Sequence, residues 1–222
     1  MTVAAIDDDT LGGGALEGIR VVDLSTILMG PYAARILGDQ GADVIRLETL
    51  AGDSVRNSLP ARHPGMGSLH LSLNRNKRSV ALDLKQAEGR DAALAIIATA
   101  DVVISNMRRA ALERLGVGPT AARAANPALI YCVANGYGSE GPNAELAAYD
   151  DAIQAGSGLA WLLGQVDEAG EPHYLPSIIA DKVCGMTIAQ AVLVALVHRA
   201  RSGVGQTVEV PMLETMVAFN VI

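Results

Sequence analysis

Aromatic residues are scarce in this sequence, one Trp, one Phe and five Tyr among 222 residues, so its core has to be built from smaller side chains. Ala, Val, Leu and Ile supply it, a composition that suits buried parallel strands covered by helices. Cysteine is almost missing. Cys132 and Cys184 lie far apart with no C-x-x-C pair, which excludes a disulfide scaffold and a thiolate zinc site and makes a reducing cytoplasm the expected compartment. Basic residues are outnumbered 17 to 24, for a net charge of −7. That balance excludes nonspecific binding to nucleic acid or to an anionic membrane, and any polyanionic ligand needs a local basic patch. The longest apolar run, 183–197, is broken by Thr187 and Gln190 and is shorter than the roughly 20 residues that span a bilayer, so it reads as a buried core helix. Residues 1–15 carry three aspartates and a glycine run where a signal peptide has a basic and then an apolar stretch. They read as a disordered leader, and 16–222 as one domain.

What is present begins with 16–48, LEGIRVVDLSTILMGPYAARILGDQGADVIRLE. An apolar strand over 19–24 is followed by Ser25 and Thr26, by Gly30-Pro31 at a helix start, and by glycines 38 and 41 at its end, before a second strand over 42–47. Proline in the first turn and glycine past the last are the ordinary punctuation of a helix. The glycines do not fall as G-x-G-x-x-G, so this βαβ unit lacks the fingerprint of dinucleotide binding. Residues 52–73 hold two prolines and three glycines without periodicity and read as a long surface loop of the kind that carries function. A strand over 79–84, a helix over 85–99 and a strand over 101–105 make a second unit. Short helices at 110–115 and 119–125 precede a strand over 129–133. A glycine loop follows at 135–141, a helix over 149–157 and a glycine-rich loop or hairpin over 164–176. A long helix over 178–201 ends in Arg199, Arg201 and Gly203, as cations and glycine favour a helix C-terminus, and the last strand is 207–211. The final segment, MLETMVAFNVI, reads as an amphipathic helix cut short, which predicts an incomplete protein; the alternative is a C-terminal helix that frays or docks at the surface.

Three groups of residues carry candidate chemistry. Asn74, Arg75, Asn76, Lys77 and Arg78 sit at the mouth of a strand and Asn106 at the C-terminal end of another, where open α/β sheets bind ligands. With Arg108, Arg109 and Arg114 they read either as a phosphate cradle or as a solvated basic loop. Asp181 lies at the start of the long helix, where a charge stabilised by the macrodipole is the commoner use of such a residue and a functional carboxylate needs support from outside the spacing. Cys184 and His173 complete an imaginable Cys-His-Asp set, although a cysteine on an apolar helix is usually a small buried hydrophobe. His63, His70 and His198 show no spacing of metal ligands.

Taken together, LEGIRVVDLS, GPYAARILGDQGADVIRLE, NRNKRSVALDL, ADVVISNMRRAALERLG, NPALIYCVANGYGSEGP, YDDAIQAGSGL, IIAD and GVGQTVEVPMLET resemble, block by block and in order, the family III coenzyme A transferases, the group of formyl-CoA transferase, carnitine CoA-transferases and α-methylacyl-CoA racemases. The resemblance implies a Rossmann-like large domain, a parallel sheet with helices on both faces, with the family's small domain and C-terminal return absent from this chain. It implies a homodimer that has no permanently bound cofactor and takes coenzyme A or acyl-CoA and a carboxylic acid as substrates; with the charge and the Cys and His spacing above, no nucleic acid, membrane or metal partner is expected, and the cytoplasm is the expected compartment.

By the same resemblance the catalytic aspartate is Asp181, which attacks the acyl-CoA thioester to give an aspartyl anhydride and then an aspartyl-CoA thioester. Orientation and oxyanion stabilisation matter more here than a general base, because a carboxylate is ordinarily ionised near neutral pH. The CoA contacts implied are Ile27, Leu28 and Met29, then Asn76, Lys77 and Arg78, then Asn106, Met107 and Arg114. Gly136, Tyr137 and Gly138 form the glycine loop expected to supply amides to an oxyanion. Leu28, Thr49 and Asn135 stand where formyl-CoA transferase has glutamine, arginine and lysine, which argues against oxalate or formyl specificity. The racemase branch uses a histidine where this chain has Tyr149, and a phenol of ordinary pKa near 10 is a poor base for an α-proton. Transferase is the leading expectation; α-proton exchange, and an inactive CoA-binding fragment that needs a partner chain, are the alternatives.

Overall fold

A computed structural model describes residues 13–166 and 170–221. The expected leader therefore lies, over 1–12, outside the described residues, while residues 13–15 join a turn in which Glu17 N–H donates to the Gly14 carbonyl at 2.9 Å. The first βαβ unit is β1 (Arg20–Asp23), α1 (Met29–Asp39) and β2 (Asp43–Glu48). A 3-10 turn at Ser54–Asn57 and α2 (Ser68–Leu73) follow, then β3 (Lys77–Ala81), α3 (Ala87–Ala98) and β4 (Val102–Ser105). Next come α4 (Arg109–Arg114), α5 (Pro119–Ala125), β5 (Ile130–Val133), α6 (Asp150–Gly156), α7 (Leu159–Gly164), α8 (Ile179–Ser202), β6 (Thr207–Glu209) and α9 (Met212–Asn220). The six strands form one parallel sheet in the order β3-β2-β1-β4-β5-β6. This is the order of a doubly wound sheet, whose topological switch falls between β1 and β4.

Alternate strand residues sort into two cores, which is why the central strands read as unbroken apolar runs. Val21, Val44, Val102, Ile104, Ile130 and Cys132 pack under α1, α6, α8 and α9. Val22, Ile45, Leu47, Val103, Tyr131 and Val133 pack under α3, α4 and α5. Tyr131, fully buried, satisfies its hydroxyl on the Val117 carbonyl at 3.0 Å, as a buried phenol must. Although α8 is long and apolar enough by length and composition to cross a membrane, it packs into the first core along Ala180, Cys184, Ile188, Val192 and Ala195. Gly203 closes it in the left-handed region, its N–H donating to the Arg199 carbonyl.

Two expectations are corrected, and one helix lies where no element was assigned. The stretch 52–73 is not one loop: Val55 and Leu73 are buried and its end is helical. The helix α7 falls between the expected helix over 149–157 and the expected loop over 164–176, entered through the left-handed Gly158 at its N-cap. The last helix is not unpartnered, because Met212 and Met216 bury against α8 and α6 and Asn220 Nδ2 donates to the Ser157 carbonyl at 3.0 Å.

Candidate active site

The site forms beyond the carboxyl ends of β1 and β4, around the loop that joins β1 to α1. Thr26 in that loop is clamped by Asn106 at the end of β4: its N–H donates to Asn106 Oδ1 at 2.8 Å, and Asn106 Nδ2 donates to its carbonyl at 2.8 Å. Ile27 adopts φ +65°, a left-handed conformation that is a true outlier for a β-branched residue. It is held there by Asp53, whose Oδ2 accepts the Ile27 N–H at 3.0 Å. Gly30 allows the turn into α1, since a Cβ there meets Ser25 Cβ at 2.4 Å.

Asp181 occupies the first turn of α8, a helix without a side-chain cap of its own. Its N–H is capped from another element, by Asp150 Oδ1 at 3.0 Å. The second oxygen of Asp150 accepts from Gln154 Nε2 at 2.6 Å, and Gln154 is itself fixed by the Leu175 N–H and the Ser177 carbonyl. Gly185 lets α8 approach α1 closely: a Cβ at that position lies 2.7 Å from Tyr32 Cδ1 and 2.9 Å from the Met29 carbonyl oxygen. The approach brings the Asp181 carboxylate to the N-terminus of α1. Burial, reinforced by the charge of Asp150, raises its pKa to about 6, and the Met29 amide acts in the opposite direction. The cause is desolvation of the anion first and like-charge repulsion second.

Two concavities meet at Thr26. The smaller, about 180 Å³, contains Asp181 together with Ile27, Leu28, Met29, Asn106, Gly136 and Tyr149. One wall is α1 and α8; the other is the irregular segment 144–148. The larger, about 440 Å³, lies over the ends of β1 to β4 and is lined mainly by Leu24, Leu47, Leu50, Leu82, Leu84 and Met107. Glu48 on its rim is pushed down to about 2 by Arg56, against the effect of burial and with help from Ser79. The pair thus offers a roomy apolar chamber and a narrower, more polar one that holds Asp181, both lined by Thr26.

The model of CoA-transferase family III matches residues 16–221. The chain belongs to that family. It is 38% identical over 210 residues to the succinate–glutarate CoA-transferase of Agrobacterium fabrum, covering 91% of this chain and 52% of that protein. To the succinyl-CoA:glutarate CoA-transferase of Mus musculus it is 35% identical over 204 residues, covering 91% of this chain and 46% of that protein. The crystal structure of a CAIB/BAIF family protein from Brucella suis superposes with a TM-score of 0.88 at 36% identity, covering 93% of this chain and 55% of that one. This family III chain thus spans about half the length of the curated relatives it matches.

The residues singled out in the sequence divide into two sets. The fold brings Ile27, Leu28, Met29, Asn106, Gly136 and Asp181 into one pocket and places Met107 in the neighbouring cavity. Arg114 is exposed at the end of α4, next to Leu115 of that cavity. Asn76, Lys77 and Arg78 do not reach either concavity. The strand β3 starts at Lys77, not Ser79, and pairs Lys77 with Val44, so the cluster stands at the amino end of its strand. Acidic neighbours occupy its polar groups: Asn76 donates to Asp39, Lys77 to Asp23 and Arg78 to Asp43. Gly138 is also engaged, its N–H donating to Glu214 Oε1 at 2.9 Å, and Tyr137 packs against the core. Of Gly136, Tyr137 and Gly138, only Gly136 lines the pocket that holds Asp181, beside Asn135.

Leu82, Asp83, Leu84 and Lys85, which belong to no candidate group in the sequence, line the larger cavity. The rule that ligands sit at carboxyl ends points to them once it is applied to the far end of the SVALDL strand. Cys132 and Cys184 are buried, and burial pushes both thiols up to about 12, which removes Cys184 as a nucleophile beside Asp181. Among the described residues no group of three or more His, Cys, Asp or Glu is placed to hold a metal ion.

Proposed function

We propose that this chain supplies the CoA-binding and nucleophilic part of a CoA-transferase that moves coenzyme A from an acyl-CoA thioester to a carboxylic acid. The observation that carries the reading is the placement of Asp181 where the small pocket meets the start of α1, one step across Thr26 from a cavity of nucleotide size. The Asp181 carboxylate attacks the thioester carbonyl; the C–S bond breaks, and CoA leaves as thiolate from an acyl-aspartyl anhydride. The thiolate then attacks the Asp181 carbonyl, releasing the donor acid and leaving an aspartyl-CoA thioester. An acceptor carboxylate repeats the sequence in reverse and restores Asp181. Amides at Met29 and Gly136 are the donors available to the oxyanions. Arg108, which lines the small pocket, and the exposed Arg114 supply cations for phosphates.

A donor and an acceptor among short dicarboxylic acids are part of this reading, supported by relatives named succinate–glutarate and succinyl-CoA:glutarate CoA-transferases. The reading includes a Rossmann-like domain, a cytoplasmic location, in keeping with the two free cysteines, and a homodimer, in keeping with the exposed apolar residues Met186, Val194 and Val197 of α8. Intact mass spectrometry after incubation with succinyl-CoA, glutaryl-CoA and longer acyl-CoAs tests it. The expected result is a hydroxylamine-sensitive adduct that maps to Asp181 and disappears in Asp181→Asn. An adduct that persists in that variant, or none with any donor, overturns the assignment.

A further inference from the structure

Beneath the loop lies a buried ionic network to which the reaction above gives no part. Asp23 is 0% exposed, Arg46 1% and Asp53 6%, and the Lys77 side chain is 1% exposed. Arg46 Nη1 donates to Asp23 Oδ2 at 2.9 Å and Lys77 Nζ to the same oxygen at 2.8 Å. The other arm of Arg46 donates to Asp53 Oδ2, the oxygen that also accepts the Ile27 N–H. Four desolvated ionic groups are a costly way to stabilise a fold, since well-packed apolar replacements of a buried ion pair are often neutral or better. Their position suggests another use. Upstream of Ile27 the chain is clamped by Asn106 at Thr26, and downstream α1 begins at Met29. Ile27 is the joint between two fixed segments, and it is held in the conformation it least prefers.

Resting on the assignment of Asp181 as nucleophile, we propose that Asp53, oriented by Arg46, is a positioning residue: its grip on the Ile27 N–H holds the left-handed turn that brings the Met29 amide to the Asp181 carboxylate. Without that grip Ile27 relaxes to negative φ, the peptide that follows swings, and the amide is withdrawn. The network is thus preorganisation from beneath the loop, without contact to substrate.

The titration of the Asp181 carboxyl, followed by 13C NMR in the whole chain, tests this without requiring turnover. The groups that face Asp181 are Met29 from α1, Asp150 from α6, Cys184 one turn on in α8, and Arg108 and Tyr149 in the pocket wall. Asp53 bonds to none of them directly, and of these groups its substitution is expected to move only the Met29 amide, through Ile27. In Asp53→Ala the loss of the Met29 amide raises the Asp181 midpoint by about one pH unit, the size expected for a hydrogen bond to a charged group. Removing the Asp53 charge acts in the opposite direction, so a rise is not a through-space effect. Asp53→Asn, which keeps an oxygen for the Ile27 N–H, returns the midpoint toward the wild-type value. Should Asp53→Ala fail to fold because Arg46 is left unpaired, Arg46→Met with Asp53→Ala removes the pair together and carries the same expectation. An unchanged midpoint in a folded variant overturns the proposal. A raised midpoint in a chain that forms no acyl adduct supports the grip of Asp53 and refutes the nucleophile assignment instead.

Discussion

Replacing Asp181 with Asn removes the proposed nucleophile and, by the geometry around it, makes the fold more stable. The folded-state pKa of Asp181 stands at about 6 against a reference of 3.8, so the native state holds this proton more tightly than the unfolded chain does. The stabilisation is fully present below pH 3.8 and is lost as pH rises to 6, at about 1.4 kcal/mol per pH unit. The total is about 3 kcal/mol, an order-of-magnitude figure for a mostly buried group. Asparagine has nearly the same shape and no charge, so the variant and the parent have equal stability near pH 4. At pH 8 the variant is more stable by about 3 kcal/mol, which for a chain of this length corresponds to roughly 6 to 12 °C in Tm. Urea denaturation of both proteins at pH 4, 5, 6, 7 and 8 measures the difference directly. If the two curves stay parallel across that range, or the variant is the less stable at pH 8, the Asp181 charge is not desolvated and the account of this site fails.

Two further predictions follow from the same surroundings. Asp150→Asn keeps an acceptor for the Asp181 N–H but removes the adjacent charge. The acid limb of adduct formation, expected near pH 6 in the parent, therefore moves to lower pH; a limb that stays in place in stopped-flow or quench measurements shows that burial alone sets it. Gly185→Ala drives a Cβ to 2.9 Å from the Met29 carbonyl oxygen, and backbone cannot step aside as a side chain can. The expected cost is about 1 to 3 kcal/mol with slower adduct formation. Gly156→Ala, whose Cβ meets only Leu213 Cδ1 at 3.4 Å, is the control and leaves thermal stability unchanged or raised.

The sheet was legible because strands buried on both faces announce themselves as apolar runs, as RVVD, VVIS and IYCV do. The start of β3 was not, since alternation in SVALDL marks the residues with apolar partners and misses Lys77, which joins the ladder while its ammonium reaches Asp23. The basic cluster looked like a phosphate cradle for the same reason: its cations are visible in the sequence, but the acids that pair with them come from α1, β1 and β2. Asp181 was singled out as the proposed nucleophile only through the resemblance, as a carboxylate near a helix start is commonplace. Its raised pKa was beyond reach, because it depends on Asp150, 31 residues away. Asp53 gave no signal at all: in the sequence it is one acid in a stretch that reads as a loop, and its hold on Ile27 exists only once β1 and β2 lie side by side.

The small pocket has walls of unlike character, and that bears on how such an enzyme changes its diet. On one side Asp181 and Met29 sit on helices wedged together at Gly185, where almost no substitution fits. On the other, residues 143–148 run without helix or strand, tied by the Ala144 and Leu146 N–H groups to the Gly141 and Asn143 carbonyls and by Ala148 against the core, with Leu146 and Tyr149 exposed. On the proposed reading, substitutions there alter the room offered to an acyl group while leaving Asp181 where it is, so one short segment sets which acid is accepted without disturbing the carboxylate.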